Sequence, residues 1–285
     1  MNQSFPFRQV DVFSALPHRG NPLAVVLATD GLAADDLAED RMAAFARWTN
    51  LSETTFLLPP TNPDADYRVR IFTPQRELPF AGHPTLGSCH AWLEAGNEPR
   101  AHDRIVQECG VGLVTIGRHD GRLAFAAPPL QRSGPLDEER VDRIARACAL
   151  SPADIVAHQW TDNGPGWQAV LLESAEDVLR LAPDPAILGD IKLGVIGPHP
   201  AGSECAFEVR AFVPSLGVPE DPVTGSLNAG IAQWLIGARL APKRYVAAQG
   251  TAMQRNGRVH VHQDDEGTVW IGGDCTTCVD GIVRF

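Results

Sequence analysis

The chain has 285 residues, 44% hydrophobic and 21% charged, which suits a globular protein of two domains that each bury a core. A net charge of −11 argues against nucleic acid and anionic membranes as partners, because both call for clustered Lys and Arg. The opening Met1-Asn2-Gln3-Ser4-Phe5-Pro6 carries no signal-peptide pattern, no apolar run approaches the ~18 residues of a membrane span, and the six scattered cysteines fit a reducing cytoplasm.

Val10-Asp11-Val12-Phe13 reads as a strand, Pro17 to Pro22 as a turn, and Leu23 to Ala28 as a second strand. From Asp35 to Trp48 the apolar residues recur at helical spacing, with Asp35-Asp36 suited to the N-terminal end and Asn50 to the stop. Ser52 to Leu58 alternates like a half-buried strand, Pro59 to Pro63 is a loop, and Tyr67 to Phe72 is a strand. Pro84 to Leu93 is predicted as a helix ending at Gly96-Asn97, followed by a hairpin of Gly110–Ile116 and Arg122–Ala126 turning at His119-Asp120-Gly121. The inter-domain connection is expected around Pro128-Pro129 and Gly134-Pro135. Beyond it come a helix near 138–149, strands near 167–172, 193–196 and 207–213, a helix near 223–237, and Gly-punctuated β structure from Tyr245 onward. Short connections favour antiparallel pairing, and the whole reads as α+β with one long helix per half set against a curved sheet.

The two halves repeat one another. Val69-Arg70-Ile71-Phe72-Thr73-Pro74 recurs as Val209-Arg210-Ala211-Phe212-Val213-Pro214, an offset of 209 − 69 = 140, and Pro79 is aligned with Pro219. His83-Pro84-Thr85-Leu86-Gly87-Ser88 is then aligned with Asp221-Pro222-Val223-Thr224-Gly225-Ser226, as though two residues had been lost from the second copy. Two such domains, at 1–127 and 128–285 with a tail from about 270 that can cross back, are expected to enclose a cleft. Each aligned segment opens a helix with Pro in its first turn and small residues three and four positions later, Gly87-Ser88 and Gly225-Ser226, so the uncovered backbone N–H groups of each start could take an anion; tight packing of helix ends is the alternative. His83 beside one start and Asp221 beside the other would make an acid/base pair, or His83 could simply pack or cap. Glu53 interrupts Leu51-Ser52-Glu53-Thr54-Thr55-Phe56: in apolar surroundings it would be a tunable proton carrier, on an edge strand merely a solvated side chain. Cys275-Thr276-Thr277-Cys278 lacks the further ligands of a metal site and the helix start of a redox pair, and no nucleotide-binding glycine loop is present.

Taken together, Val10-Asp11-Val12-Phe13, Gly20-Asn21-Pro22, Asn50-Leu51-Ser52-Glu53-Thr54-Thr55-Phe56, Arg70-Ile71-Phe72-Thr73-Pro74, Pro79-Phe80-Ala81-Gly82-His83-Pro84-Thr85-Leu86-Gly87, Glu220-Asp221-Pro222-Val223-Thr224-Gly225-Ser226 and Gln249-Gly250 resemble the phenazine-biosynthesis PhzF-like isomerases. These are fold relatives of diaminopimelate epimerase and proline racemase, and the resemblance spans essentially the whole chain. It implies two similar domains, each a central helix wrapped by a curved, mostly antiparallel sheet, in a homodimer with no metal or organic cofactor. It implies Glu53 as the group that moves a proton, His83 and Asp221 lining the site, and Gly82, Gly225 and Ser226 holding the anion of a small carboxylate substrate. The racemising relatives use paired cysteines at the helix starts, where this chain carries Ala81 and, near enough, Asp221. A Gly-Arg-Pro stretch expected after Gln249-Gly250 is replaced by Thr251-Ala252-Met253-Gln254-Arg255, which puts the phenazine enzyme's specificity in question here. Isomerisation is thus the leading expectation, with an epimerase or racemase of an amino or hydroxy acid, or a non-catalytic carboxylate binder, as alternatives.

Overall fold

The computed structural model describes residues 3–28, 37–216 and 218–285, which fall into two compact units, Met1–Ala126 with Gly272–Phe285 and Ala127–Ile271. The first unit begins with β1 (Ser4–Val12), β2 (Asn21–Leu27), α1 (Glu39–Thr49), β3 (Thr54–Leu58), β4 (Tyr67–Phe72) and the short β5 (Glu77–Leu78). It continues through α2 (Gly82–Glu94), β6 (Arg104–Cys109), β7 (Gly112–His119) and β8 (Arg122–Ala126). Asp35-Asp36, expected to open the first helix, lie outside the described residues; Asn50 ends α1 in the left-handed conformation, φ 53°.

The sheet is mixed rather than simply antiparallel. Strand β1 is antiparallel to β2 and β3 to β4, but β2–β3 and β4–β6 are parallel. Each parallel pair encloses a helix, because parallel neighbours need a long crossover. Helix α1 packs on β3 and β4, and α2 packs on β1, β2, β3 and β8. Both faces of β3 are therefore covered, and all five of its residues are buried. Phe56 and Leu58 join Met42 and Ala46 in the core beneath α1, while Thr55 accepts a 2.9 Å hydrogen bond from Ser88 of α2. Two-sided covering removes the alternation expected of a half-buried strand, and it places β3 between two strands instead of at an edge.

The second unit holds α3 (Glu138–Ala147), β9 (Ala157–Trp160), β10 (Trp167–Leu171), α4 (Ala175–Arg180), α5 (Pro185–Leu188), β11 (Lys192–Pro198), β12 (Phe207–Val213) and β13 (Val218–Asp221). Helix α6 (Gly225–Gly237), β14 (Arg244–Gln249), β15 (Gly257–Gln263) and β16 (Val269–Gly273) follow. The final β17 (Cys275–Arg284) belongs to the first unit, antiparallel to β1. Within the second unit β9–β10 is antiparallel, β10–β11 parallel, β11–β12 antiparallel and β12–β14 parallel. That is the order and sense of β1–β2–β3–β4–β6, with α6 in the place of α2. Both helices are 13 residues long and buried along much of their length, as a helix surrounded by sheet must be.

Strand register corrects how the copies align. In β4–β5, Phe72 faces Glu77 and Ile71 faces Leu78; in β12–β13, Phe212 faces Glu220 and Ala211 faces Asp221. From this hairpin onward the offset is 220 − 77 = 143, so the second copy has gained three residues in the turn. Pro79 matches Pro222, and Ala81-Gly82-His83 matches Thr224-Gly225-Ser226. Two glycine contacts agree: a Cβ on Gly110 would lie 2.6 Å from Pro79 Cα, and one on Gly250 2.7 Å from the Pro222 carbonyl oxygen. The alignment of His83 with Asp221 thus fails, because the recurring Pro-x-x-Gly-Ser letters start five residues apart on the two scaffolds. Gly87 lies in the second turn of α2 and is matched by Gly230, and both serve packing. A Cβ on Gly87 would come within 2.6 Å of Leu23 Cδ2, and one on Gly230 within 2.2 Å of the Thr161 carbonyl oxygen.

Candidate active site

The chain leaves α1 at Asn50 and enters β3 at Thr54, so Glu53 sits on the last residue before the strand rather than inside it. Its side chain is 16% exposed, and Oε2 lies 3.6 Å from Nε2 of His83, whose side chain is 5% exposed. His83 is the second residue of α2, Pro84 follows it in the first turn, and Ala81, the N-cap, makes no side-chain hydrogen bond to that turn. Behind the ring, Asn21 Nδ2 lies 3.5 Å from His83 Nδ1, and Asn21 Oδ1 accepts from Ser52 Oγ at 3.4 Å. An amide nitrogen only donates, so this placement of the Asn21 amide assigns Nδ1 as the acceptor and the ring proton to Nε2, on the side of Glu53. Burial pushes the His83 pKa down from its ordinary 6.5 to about 3. At neutral pH the pair is a carboxyl group beside a neutral imidazole, a hydrogen-bond donor in place of an ion pair.

That shift has a consequence for stability. The unfolded chain binds a proton at His83 below pH 6.5, whereas the folded protein resists until about 3. The unfolded state therefore holds more protons across this window, and stability falls as pH drops from 6.5 toward 3. Thermal melts of wild type and His83→Gln over that range are expected to diverge, with the variant losing less stability on acidification. Parallel curves would show that His83 does not titrate in this way.

The second unit assembles the other expected residues. Asp221 ends β13, and its Oδ2 accepts from Thr224 Oγ1 at 2.5 Å. Thr224 is the N-cap of α6, and that hydroxyl makes no cap to the helix. By contrast, Asp137, Ser174 and Asp184 cap α3, α4 and α5. The first turn at Gly225 and Ser226 is thus left open by its own N-cap, as Gly82 and His83 are in α2. Gln249, fully buried at the end of β14, ties the segment together. Its Oε1 accepts from the Thr224 N–H at 3.0 Å and from Asn228 Nδ2 at 2.8 Å, while its Nε2 donates to the Asp221 carbonyl at 3.2 Å and to Thr224 Oγ1 at 3.0 Å. Gly250 follows at φ +85°, a conformation that favours glycine, which explains the Gln-Gly pair.

The structure thus brings Glu53 and His83 together in one unit, and Asp221, Gly225 and Ser226 together in the other. The counterpart of Ala81 is Thr224, not Asp221, and neither is a cysteine. Cys89, in the second turn of α2, is buried with its thiol pushed up to about 12, which disfavours a thiolate. Cys275 and Cys278 lie in β17 as free thiols, and among the described residues no three His, Cys, Asp or Glu side chains cluster as a metal site. Two neighbours of Ser226 escaped the sequence reading: Asn163, whose Nδ2 donates to the Ser226 carbonyl at 2.8 Å, and Trp167, whose indole donates to Ser226 Oγ at 3.0 Å. No local motif marks either one, because both reach Ser226 through tertiary contacts alone.

The family described as Phenazine biosynthesis-like protein matches residues 10–281. The chain belongs to that family. A trans-2,3-dihydro-3-hydroxyanthranilate isomerase from Pseudomonas aeruginosa is 35% identical over 90% of this chain and 90% of its own length. Antisense-enhancing sequence 1 from Schizosaccharomyces pombe is also 35% identical, over 96% of this chain and 97% of its own. A solved phenazine biosynthesis protein of the PhzF family from Enterococcus faecalis is 25% identical and superposes with a TM-score of 0.80, covering 99% of this chain and all of that one. The fold of this phenazine biosynthesis-like chain is therefore the family's. No helix among its described residues is long and apolar enough to cross a membrane.

Proposed function

We propose that the protein is an isomerase that moves a proton within a small carboxylate-bearing substrate, with Glu53 as the proton carrier. The observation that carries this reading is the Glu53 carboxyl group, largely buried and 3.6 Å from a neutral His83 at the uncapped start of α2. As carboxylate, Glu53 takes a proton from an sp³ carbon. As carboxylic acid, it returns a proton to another carbon while the double bond shifts, so the substrate keeps its composition. His83 Nε2–H donates to the carboxylate or to developing charge, and a contact of 3.6 Å can tighten once substrate is bound. Acid–base help of this kind is typically worth ~10²–10⁴-fold, the rest coming from positioning.

The N–H groups of Gly82, Gly225 and Ser226 are proposed to hold the substrate's anion, with Asp221 tuning charge. Dimeric assembly, a cytoplasmic location and independence of metals and cofactors belong to the same proposal, carried by family likeness. The relative's substrate, trans-2,3-dihydro-3-hydroxyanthranilate, is the first compound to test. In heavy water the enzyme should shift its double bond and place deuterium on the carbon that gains the proton, read by NMR. Deuterium gained with inversion and no bond shift would instead identify an epimerase. Neither change, on this compound or on related hydroxy- and amino-carboxylates, would leave only a binding role.

A further inference from the structure

Sheet register gives each unit the same framework but different chemistry at the second residue of its central helix. His83 in α2 is matched by Ser226 in α6, and each is approached from behind by a group that can only donate. For His83 that group is the Asn21 amide nitrogen, 3.5 Å from Nδ1. For Ser226 it is the Trp167 indole N–H, 3.0 Å from Oγ. Strand pairing identifies the first unit's counterpart of Trp167. Ala24 lies beside Thr54 and Gln168 beside Leu193, while Thr54 faces Phe72 and Leu193 faces Phe212. Trp167 therefore corresponds to Leu23, which is apolar, whereas Asn163 lies in the turn between β9 and β10, outside the paired strands. The indole N–H that meets Ser226 thus has no counterpart at the matching position of the first unit. Trp167 is 4% exposed and Asn163 7%, so their polar atoms are not there to meet water.

We infer that Trp167 sets the polarity of Ser226, fixing its hydroxyl as a donor toward an acceptor oxygen of the ligand. A serine hydroxyl offers one proton and two lone pairs, and an indole N–H has no lone pair to offer in return. With one lone pair occupied from behind, the Ser226 proton must point elsewhere, and no acceptor among the described residues takes it. Asn163 fixes the other side of the residue by donating to its carbonyl at 2.8 Å. The hydroxyl then converges with the open N–H groups of Gly225 and Ser226, a set of donors suited to a carboxylate oxygen and unsuited to an ammonium group. Trp167 is thus a positioning residue acting through Ser226. This inference rests on the substrate class proposed above.

The test is a double-mutant cycle on binding of 3-hydroxyanthranilate, an aromatic analogue without the sp³ C–H the reaction needs. Calorimetric titration of wild type, Ser226→Ala, Trp167→Phe and the double variant is expected to show about tenfold weaker binding for each single change. The double variant should bind no more weakly than Ser226→Ala alone, because Trp167 has nothing left to orient. Lost packing would lower the melting temperature of Trp167→Phe in both backgrounds without producing that coupling in Kd. Additive weakening, or full affinity in a folded Trp167→Phe protein, overturns the inference and leaves the substrate class standing. No binding to wild type overturns the substrate class itself. If Trp167→Phe does not fold, the Trp167 indole N–H resonance of wild type and Ser226→Ala supplies the reading. It should move on loss of Ser226 and, in wild type, on addition of the analogue; an unmoved resonance overturns the inference.

Discussion

Glu53→Gln is expected to lower kcat by ~10²-fold or more while KM changes little. The amide matches the carboxyl group in size and keeps its reach toward His83 Nε2, 3.6 Å away, so substrate should still be positioned. In the proposed mechanism, what disappears is the capacity to take a proton from carbon and give it back, an interaction that belongs to the transition state. His83→Asn and Asp221→Asn should each cost less. His83 is neutral at working pH and in the proposed mechanism is a hydrogen-bond donor, not a proton carrier. The Asp221 carboxylate is engaged by the Thr224 hydroxyl at 2.5 Å. Stability of Glu53→Gln should hold or rise slightly, since a carboxylate shielded from water is costly to desolvate. Undiminished turnover by a folded Glu53→Gln protein on its own substrate would remove Glu53 from the mechanism.

Gln249→Leu is expected to be the most damaging conservative change in the second unit. Leucine fills a similar volume but removes all four hydrogen bonds that join the Asp221–Thr224 segment to α6. The Thr224 N–H loses its acceptor in a buried setting, and Asn228 keeps only its bond to the Thr224 carbonyl. A stranded buried donor costs ~1–3 kcal/mol, so a total on the order of 3 kcal/mol and a fall in Tm of about 10 °C follow. Activity should fall further than stability alone explains, because the same bonds hold the start of α6 in place. A variant melting within a degree or two of wild type would show that the segment is held by other contacts.

Much of this fold is legible in the sequence where burial is one-sided or a turn is chemically marked. Tyr67–Phe72 alternates and is a strand with those bounds, and His119-Asp120-Gly121 turns the predicted hairpin. The reading falters where tertiary context overrides local pattern. Strand β3 has helices on both faces, so its periodicity says nothing about which side Glu53 takes. Strand β6, Arg104–Cys109, was missed because a short mixed run looks like loop until β4 and β7 flank it. The candidate residues were visible as motif letters. Their correspondence was not, because a repeated Pro-x-x-Gly-Ser drew the alignment five residues away from the match that backbone pairing enforces.

The matched glycines of α2 and α6 tie the chemistry of each helix start to a contact more than a turn away. Gly87 and Gly230 each stand five residues beyond the first helical residue, about 7.5 Å along the axis at 1.5 Å per residue. Each lets its helix rest directly on a neighbouring strand or turn. A single methyl group at Gly230 would meet the Thr161 oxygen at 2.2 Å and could be admitted only by lifting the helix by roughly an ångström. A displacement of that size at reacting groups can cost ~10²-fold in rate. The glycine thus acts as a depth stop: it sets how far each helix is pressed home, and so where the first-turn donors end up, without touching substrate.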